Sequence, residues 1–386
     1  MIVEELALQD FRNYERAQLE LSSGVTLITG RNAQGKTNLL EAIYCLSGLG
    51  SPRTTEPTLI REGAERGYIH GRVRRGERRI DIALELRVGR GARALLNNTA
   101  VPAAKALGEV VVSVYFGPDD LSLVKGSPDG RRRFLDDLAI KARPARDVLR
   151  KEWERVLRQR NSLLKTAPRT GGAPPKTLEV WDEAFCRAGA DIAAARLRIL
   201  ATLAPLAAER YESISGGDHL SLSYESSWLD PALAEKALEA PDTIDETSLC
   251  NSLSAALDSV RVREIERGVS LVGPQRDDVA IRLANRDHED ERRDARSQAS
   301  QGEQRSGALS LKLGEFQLLR DVLGEDPLLL LDDVFSELDP QRRGWLADSV
   351  RDSSQTVMSS AEADAVEKAR ADCVVEVVSG RLIVHE

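Results

Sequence analysis

Gly30-x4-Gly35-Lys36-Thr37 is a spacing that can hold phosphate. It follows an apolar, β-rich run, "VTLITG" (Val25 to Gly30). It precedes "TNLLEAIYCLSGLG", which switches to helical spacing with Leu39, Leu40, Ile43 and Leu46 on one face. Each residue type has a job. The glycines let the backbone curl so that its N–H groups turn inward on phosphate oxygens. Lys36 reaches the β and γ phosphates, and Thr37 offers a hydroxyl to Mg²⁺. The helix start adds the positive end of its dipole. Gly30, Arg31, Asn32, Ala33, Gln34, Gly35, Lys36, Thr37 and Asn38 are therefore the candidate binding residues for a nucleoside triphosphate, with Lys36 also catalytic. An ordinary glycine turn ahead of a helix is the plainer alternative, and the strand–loop–helix context speaks against it.

A phosphate loop needs a partner strand that is apolar and ends in acid. "LLLLDD" supplies one. Asp332, with Thr37, would order Mg²⁺, and Asp333 would be the catalytic carboxylate that polarises the attacking water. Nearly the whole chain separates the two motifs. Ser300-Gln301-Gly302-Glu303 opens the helix before the second motif, and Ser336-Glu337-Leu338-Asp339 follows it. Ser-x-Gly at a helix start is a second anion cradle that this chain's own phosphate loop does not need. In the ATP-binding-cassette architecture such a signature caps the γ-phosphate held by another subunit, so ATP would be sandwiched between two copies. A plain capped helix start is the alternative for the signature stretch alone.

Composition narrows the class without naming it. The 386 residues suit two lobes, and 41% hydrophobic content supports a sizeable core. The four cysteines, Cys45, Cys186, Cys250 and Cys373, form no CxxC pair and read as reduced thiols of a cytoplasmic protein. No apolar run approaches the roughly 18 residues that a membrane span needs, and "MIVEELALQDFRNY" carries acids where a signal peptide would be basic. The net charge of −8 hides basic segments. Residues 131–176 hold 14 Lys/Arg against 5 Asp/Glu, and residues 61–93 hold 10 against 5. One such run is usually a solvated face, but two in an acidic chain point to a polyanion surface.

The pattern along the chain is α/β. Residues 68–96 alternate as antiparallel strands, and "EVVVSVYF" (Glu109 to Phe116) reads as a short buried strand. Beyond Gly126 the character is helical. Leu149, Trp153, Val156 and Leu157 form one face, the breaker "APRTGGAPPK" (Ala167 to Lys176) follows, and Trp181, Phe185, Ala188, Ile192, Ala195 and Ile199 form another. "GVSLVGPQRDDVAIRL" returns to strands, and the tail reads as a hairpin around Ser379-Gly380. The expected fold is an ABC-type ATPase head with mixed sheets plus a mainly α-helical arm. The expected division is 1–125 for the head's N-terminal lobe, 126–266 for the arm with its helical core at 131–213, and 267–386 for the C-terminal lobe.

The chain resembles the bacterial RecF family of DNA replication and repair proteins over nearly its full length. "LALQDFRNY", "GRNAQGKTNLLEAIYCLSGLGSPRT", "FGPDDLSLVKGSPDGRRRFLDD", "ERGVSLVGPQRDD", "SQGEQR" and "PLLLLDDVFSELD" carry the resemblance in order. It implies a head like that of SMC-type repair ATPases with a compact arm in place of a long coiled coil. It also implies ATP and Mg²⁺ as cofactors, ATP-dependent homodimerisation and slow hydrolysis tied to release. Double-stranded DNA at single-strand gaps would be one partner, and RecR, acting with RecO in recombinase loading, another. By position it places Arg12 and Asn13 near the nucleotide, Ser300, Gln301, Gly302 and Glu303 on a γ-phosphate in trans, and Asp339 with Ser336 in a loop across the dimer interface.

Two positions depart from the family pattern. Gln275 stands where His is usual, and Glu303 where the signature usually has Gln. Against cassette ATPases more widely, Ser359 and Ser360 occupy the place of a frequent switch histidine, and Asp333 that of a frequent Glu. DNA contacts are expected from Arg131, Arg132, Arg133, Arg150, Arg158 and Arg160, by backbone and shape. Arg131 to Arg133 are equally placed to pair with Asp136 and Asp137. Two other classes compete. A transporter-driving cassette ATPase would not predict the basic arm. A phosphate-loop kinase or GTPase would keep its motifs close, and a GTPase would carry an Asn-Lys-x-Asp reader that is absent.

Overall fold

The computed structural model describes residues 1–53, 56–166, 177–288, 290–361 and 370–385. The expected breaker at 167–176 lies outside them. The chain packs as two compact units, Met1–Asp120 with Glu315–Glu386, and Leu121–Gly314. The second is thus an insertion into the first. Residues 267–314, signature included, fall within the second unit.

The first unit opens with β1 (Ile2–Phe11), β2 (Tyr14–Glu20), β3 (Gly24–Thr29), α1 (Lys36–Cys45), β4 (Arg66–Arg75), β5 (Arg78–Arg87), β6 (Arg90–Leu96), β7 (Thr99–Ala100) and β8 (Ser113–Phe116). The second contains α2 (Ser122–Lys125), α3 (Pro128–Ala142), α4 (Asp147–Thr166), α5 (Thr177–Ser215), β9 (His219–Glu225), α6 (Pro231–Glu239), α7 (Glu246–Arg267), β10 (Asp278–Ala284), β11 (Arg293–Asp294) and α8 (Ala295–Gln298). The boundary at Gly314 falls inside α9 (Gln301–Leu323). β12 (Leu328–Asp332), α10 (Pro340–Val350), β13 (Gln355–Ser359), β14 (Cys373–Val378) and β15 (Arg381–His385) complete the first unit. Two sequence expectations shrink. The strand expected at Glu109 to Phe116 is only β8, since Ala104–Glu109 form a 3-10 turn. In "GVSLVGPQRDDVAIRL" only β10 is extended, since Pro274 starts another 3-10 turn.

The first unit has two six-stranded sheets. One is antiparallel, in the order β2-β1-β4-β5-β6-β7. The alternation seen at residues 68–96 is its pleat, with Ile69, Val73, Ile82 and Leu84 buried. The other runs β15-β14-β3-β13-β12-β8 and is parallel except at β15. Its central strands β12 and β13 are buried at every residue, which is why "LLLL" does not alternate. One core joins Leu39, Leu40, Ile43 and Leu46 of the α1 region to Leu6, Leu8 and Phe11 of β1 and to Leu330 and Val357. Each such side chain contributes about 1.5–3 kcal/mol when fully buried. Gly71 is small for a reason, because a Cβ there would meet Leu46 Cδ1 at 2.5 Å.

In the second unit α4 buries Trp153 and Val156, and α5 buries Phe185, Ala188, Ile192, Ala195 and Ile199. The rings of Trp153 and Phe185 meet at 4.9 Å. Arg160 is also on the buried face. It donates to Asp182 at 2.8 Å, Ser270 at 2.6 Å and Glu264 at 2.6 Å, and is fully buried. Arg131 is buried too, clasping Asp278 through two bonds of 2.7 and 2.8 Å. These two arginines are removed from the expected DNA contacts, because both are buried and each of their side-chain nitrogens is already bonded within the fold. The expected pairing with Asp136 and Asp137 is also corrected. Asp136 holds Arg196 and Asp137 holds Arg150, while Arg132 donates to Asp277 O and Arg133 to Asp129.

Candidate nucleotide site

Parallel strands bring their carboxyl ends to one edge, where ligands of such sheets bind. β3 and β12 flank β13, with Ile28 and Asp332 both in register with Ser359. The phosphate loop and the acidic strand end are thus neighbours, although they are far apart in sequence.

The loop from Gly30 to Gly35 is shaped by conformations that L residues avoid. Gly30 has φ 135°, Ala33 has φ 62° and Gly35 has φ 113°. A Cβ on Gly35 would sit 2.6 Å from Asn13 Nδ2 and 2.8 Å from the Tyr14 hydroxyl. The β1–β2 turn supports the loop from that side. Asn13 Nδ2 donates to Gln34 O at 2.9 Å, Asn38 Nδ2 donates to Asn13 Oδ1 at 2.8 Å, and the Tyr14 hydroxyl donates to Gly35 O at 3.0 Å. The terminal hairpin supports the other side, with Ser379 N–H donating to Gln34 Oε1 at 2.6 Å. Arg31, Asn32 and Ala33 are exposed. The first turn of α1 carries no acid of its own, and the acids at this helix start, Asp332 and Asp333, come from the end of β12.

Lys36 is buried, and its ammonium donates to Gly30 O at 2.8 Å and Arg31 O at 3.1 Å. Burial lowers its pKa below the usual lysine value, and nearby Asp333 and Asp332 oppose that shift. Thr37 Oγ1 donates to Asp332 Oδ1 at 2.8 Å. Ser359 Oγ donates to the same oxygen at 2.6 Å, and the Tyr115 hydroxyl donates to Oδ2 at 2.9 Å. Burial, then the Asp332 charge, pushes the Tyr115 phenol well up, so it stays a donor. Asp333 has φ 52°, its N–H donates to Ser359 O and Oγ at 3.2 and 3.0 Å, and its Oδ1 is buried with no partner.

Arg12 and Asn13 play different parts. Asn13 touches the loop. Arg12 spends Nε and Nη2 on the fully buried Glu41 at 2.8 Å each, and Nη1 on Thr58 O at 2.8 Å. Both line an open groove with Asn38, Arg53, Thr58, Ile60, Arg61 and Glu62. Ser336 donates to Asp333 O at 2.8 Å, and Asp339 caps α10 through Arg342 N–H at 3.0 Å.

The signature residues lie in the second unit. Ser300 Oγ accepts from Glu303 N–H at 3.3 Å, and Glu303 accepts from Ser300 N–H at 2.7 Å, a reciprocal capping box. Arg293 donates to Glu303 at 3.0 Å, and Gln304 donates to Ala295 O at 2.9 Å. Glu303 is thus bonded to its own helix start and to Arg293, and Gln301 and Gly302 follow Ser300 at the first positions of α9. Sequence reasoning missed Tyr14, Tyr115, Gln304 and the bridging role of Ser359. Tyr14 stood inside a motif that was otherwise read for its neighbours, and Tyr115 stood at the end of an apolar run where a hydroxyl needs a partner.

A phosphate loop, an acid-ended strand beside it and a helix-opening signature define an ABC-type ATPase head, the fold also seen in an Smc head bound to the C-winged helix domain of ScpA (TM-score 0.57, 16% identity, covering 100% of this chain and 97% of that one). The family model for the RecF/RecN/SMC N-terminal domain matches residues 2–383, and the chain belongs to that family and, within it, to the RecF proteins. It is 43% identical over 373 residues to the DNA replication and repair protein RecF of Streptomyces avermitilis, covering 95% of each chain. It is 40% identical over 402 residues to that of Beutenbergia cavernae, covering 99% of each. A solved structure of the recombination mediator protein RecF-ATPrS of the RecFOR pathway matches with a TM-score of 0.87 and 28% identity, covering 100% of this chain and 98% of that one. The RecF-ATP structure matches at 0.85, also at 28% identity. The transporter reading is left without support. Among the described residues, no helix is long and apolar enough to cross a membrane.

Proposed function

We propose that this chain is a cytoplasmic, ATP-switched DNA-binding protein of recombinational repair. Two copies close around ATP and Mg²⁺ and hold double-stranded DNA near single-strand gaps. Slow, DNA-stimulated hydrolysis releases them. RecR, with RecO, is the partner through which recombinase loading and replication restart follow. The relatives' names and their ATP-bound structures support this reading.

The observation that carries it is the unequal state of the two acids. Asp332 is fixed by three hydroxyls, while Asp333 keeps a buried oxygen without a partner beside Lys36. That donor set fits a triphosphate and a hard cation, with Thr37 and Asp332 as metal residues. Mg²⁺, when bound, supplies charge neutralisation on the phosphates. Lys36 orients the phosphates, Asn13 and Gln34 hold the loop, and Asp333 takes a proton at its spare oxygen. Ser300 to Glu303 would complete the site of a second copy, with Ser336 and Asp339 at the interface. The head-lobe and arm division remains part of this proposal.

DNA contacts are proposed on the antiparallel sheet of the first unit and, in the second unit, on the two exposed arm arginines Arg133 and Arg158. Arg66, Arg87 and Arg90 lie side by side in register across β4, β5 and β6. Arg66 and Arg87 share Glu85 as their ion-pair partner, so one carboxylate faces three cations and a polyanion would meet the charge left over. The test is anisotropy of a labelled gapped duplex with no nucleotide, with ADP, and with ATP and Mg²⁺, beside Lys36→Ala. Tight binding with ATP alone, lost in Lys36→Ala and falling steeply with salt, is expected. Equal binding in all three states would refute the switch.

A further inference from the structure

Ser359 stands between the two acids of the strand end. A serine hydroxyl has one proton and two lone pairs. Here the proton goes to Asp332 Oδ1 at 2.6 Å, and a lone pair receives the Asp333 N–H at 3.0 Å. The Ser359 carbonyl receives the same N–H at 3.2 Å. Ser359 is the last residue of β13, buried to 1% exposure, and the sheet register sets it directly beside Asp332. Asp333 then turns into the left-handed region at φ 52°. A non-glycine residue there costs roughly 1–2 kcal/mol and persists only when its surroundings over-determine it. The surroundings that do so are Ser359 and the Ser336 hydroxyl on Asp333 O.

We propose that Ser359 is a positioning residue for ATP hydrolysis. Its hydroxyl locks the strained turn at Asp333 and so keeps the partnerless carboxylate oxygen facing the phosphate loop, while the same proton fixes Asp332. This rests on the hydrolysis reading above. Tyr115 acts on only one of the acids. Its hydroxyl holds Asp332 Oδ2, and among the described residues the hydrogen bonds that fix the Asp333 turn come from Ser359 and Ser336. The two hydroxyls therefore separate metal-residue orientation from aim of the base.

The experiment compares Ser359→Ala, Ser359→Thr and Tyr115→Phe. It measures fluorescent ATP-analogue binding across Mg²⁺ concentrations, kcat for ATP, and the thermal midpoint. Ser359→Ala should bind the analogue within about threefold of the wild type and lose about 10- to 100-fold in kcat, the usual range for an orienting hydrogen-bond partner. Ser359→Thr keeps the hydroxyl and should restore most of that loss. Tyr115→Phe should raise the Mg²⁺ needed for analogue binding and keep kcat within about threefold at saturating Mg²⁺. A Ser359→Ala protein with wild-type kcat would overturn the proposal. So would equal losses of binding and kcat in a variant that melts normally. If wild-type protein turned over no ATP, the hydrolysis reading would fail first, and the two failures are told apart by that control.

Discussion

The phosphate site and the core of the arm both bury charges, and they treat them in opposite ways. Arg160 is enclosed with Asp182, Glu264 and Ser270, and every nitrogen has an acceptor. Lys36 is buried too, yet its ammonium touches only main-chain carbonyls, and Asp333 keeps an oxygen without a partner. A buried charge with a full set of protein partners holds the fold together. One with capacity left over is arranged for something that arrives later.

Breaking each set should separate these roles. Arg160→Ala should show the largest effect. It strands the fully buried Glu264, and removing one partner of a buried pair costs about 3–5 kcal/mol. Urea unfolding should show that drop in stability. Lys36→Ala should do the reverse, keeping the midpoint of unfolding near wild type while nucleotide binding disappears in an equilibrium titration. A Lys36→Ala protein that unfolded as readily as Arg160→Ala would erase the contrast.

Asp277 sharpens it further. Burial pushes its carboxyl up to about 6, although Tyr224, Ser226, Trp228 and the Arg196 charge pull the other way. The folded value lies above the unfolded one, so the folded chain holds this proton more tightly. The stability it contributes is present at low pH and is lost as pH rises through about 6. Asp277→Asn removes that dependence. Its stability relative to wild type should improve between pH values of about 4 and 6, then level off; parallel curves would count against a raised Asp277. The smallest effect belongs to Arg158→Ala. Among the described residues its ion pair is with Glu154, at 3.8 Å on the surface. Stability should change by less than about 0.5 kcal/mol, and the salt slope of DNA binding should fall by about 1 if the side chain meets a phosphate.

The phosphate loop was legible because its chemistry is local. Two glycines, a lysine and a threonine within eight positions allow few other uses. Asp332 and Asp333 were legible because an apolar run ended in acid. The contacts made by Ser359, Tyr115 and Ser379 were not, since strand pairing across the sheet, rather than spacing along the chain, sets their partners. Charge counting misled in the arm because it sees numbers and not partners. The spacing held the warning, for Arg160 follows Trp153 and Val156 by seven and four positions, on the same buried stripe.

The sheet order also has a consequence for how the protein is made. β3 pairs only with β13 and β14, residues 355–359 and 373–378. Residues 121–314 form a compact unit of continuous chain. On the ribosome, the arm unit can therefore finish folding while "VTLIT" still waits with both edges bare. An unpaired apolar strand is a hazard of aggregation until residues 355–378 emerge. The nucleotide site is accordingly later to form than the arm unit, and a nascent chain cannot hold ATP in a complete site before residues 355–378 have been translated.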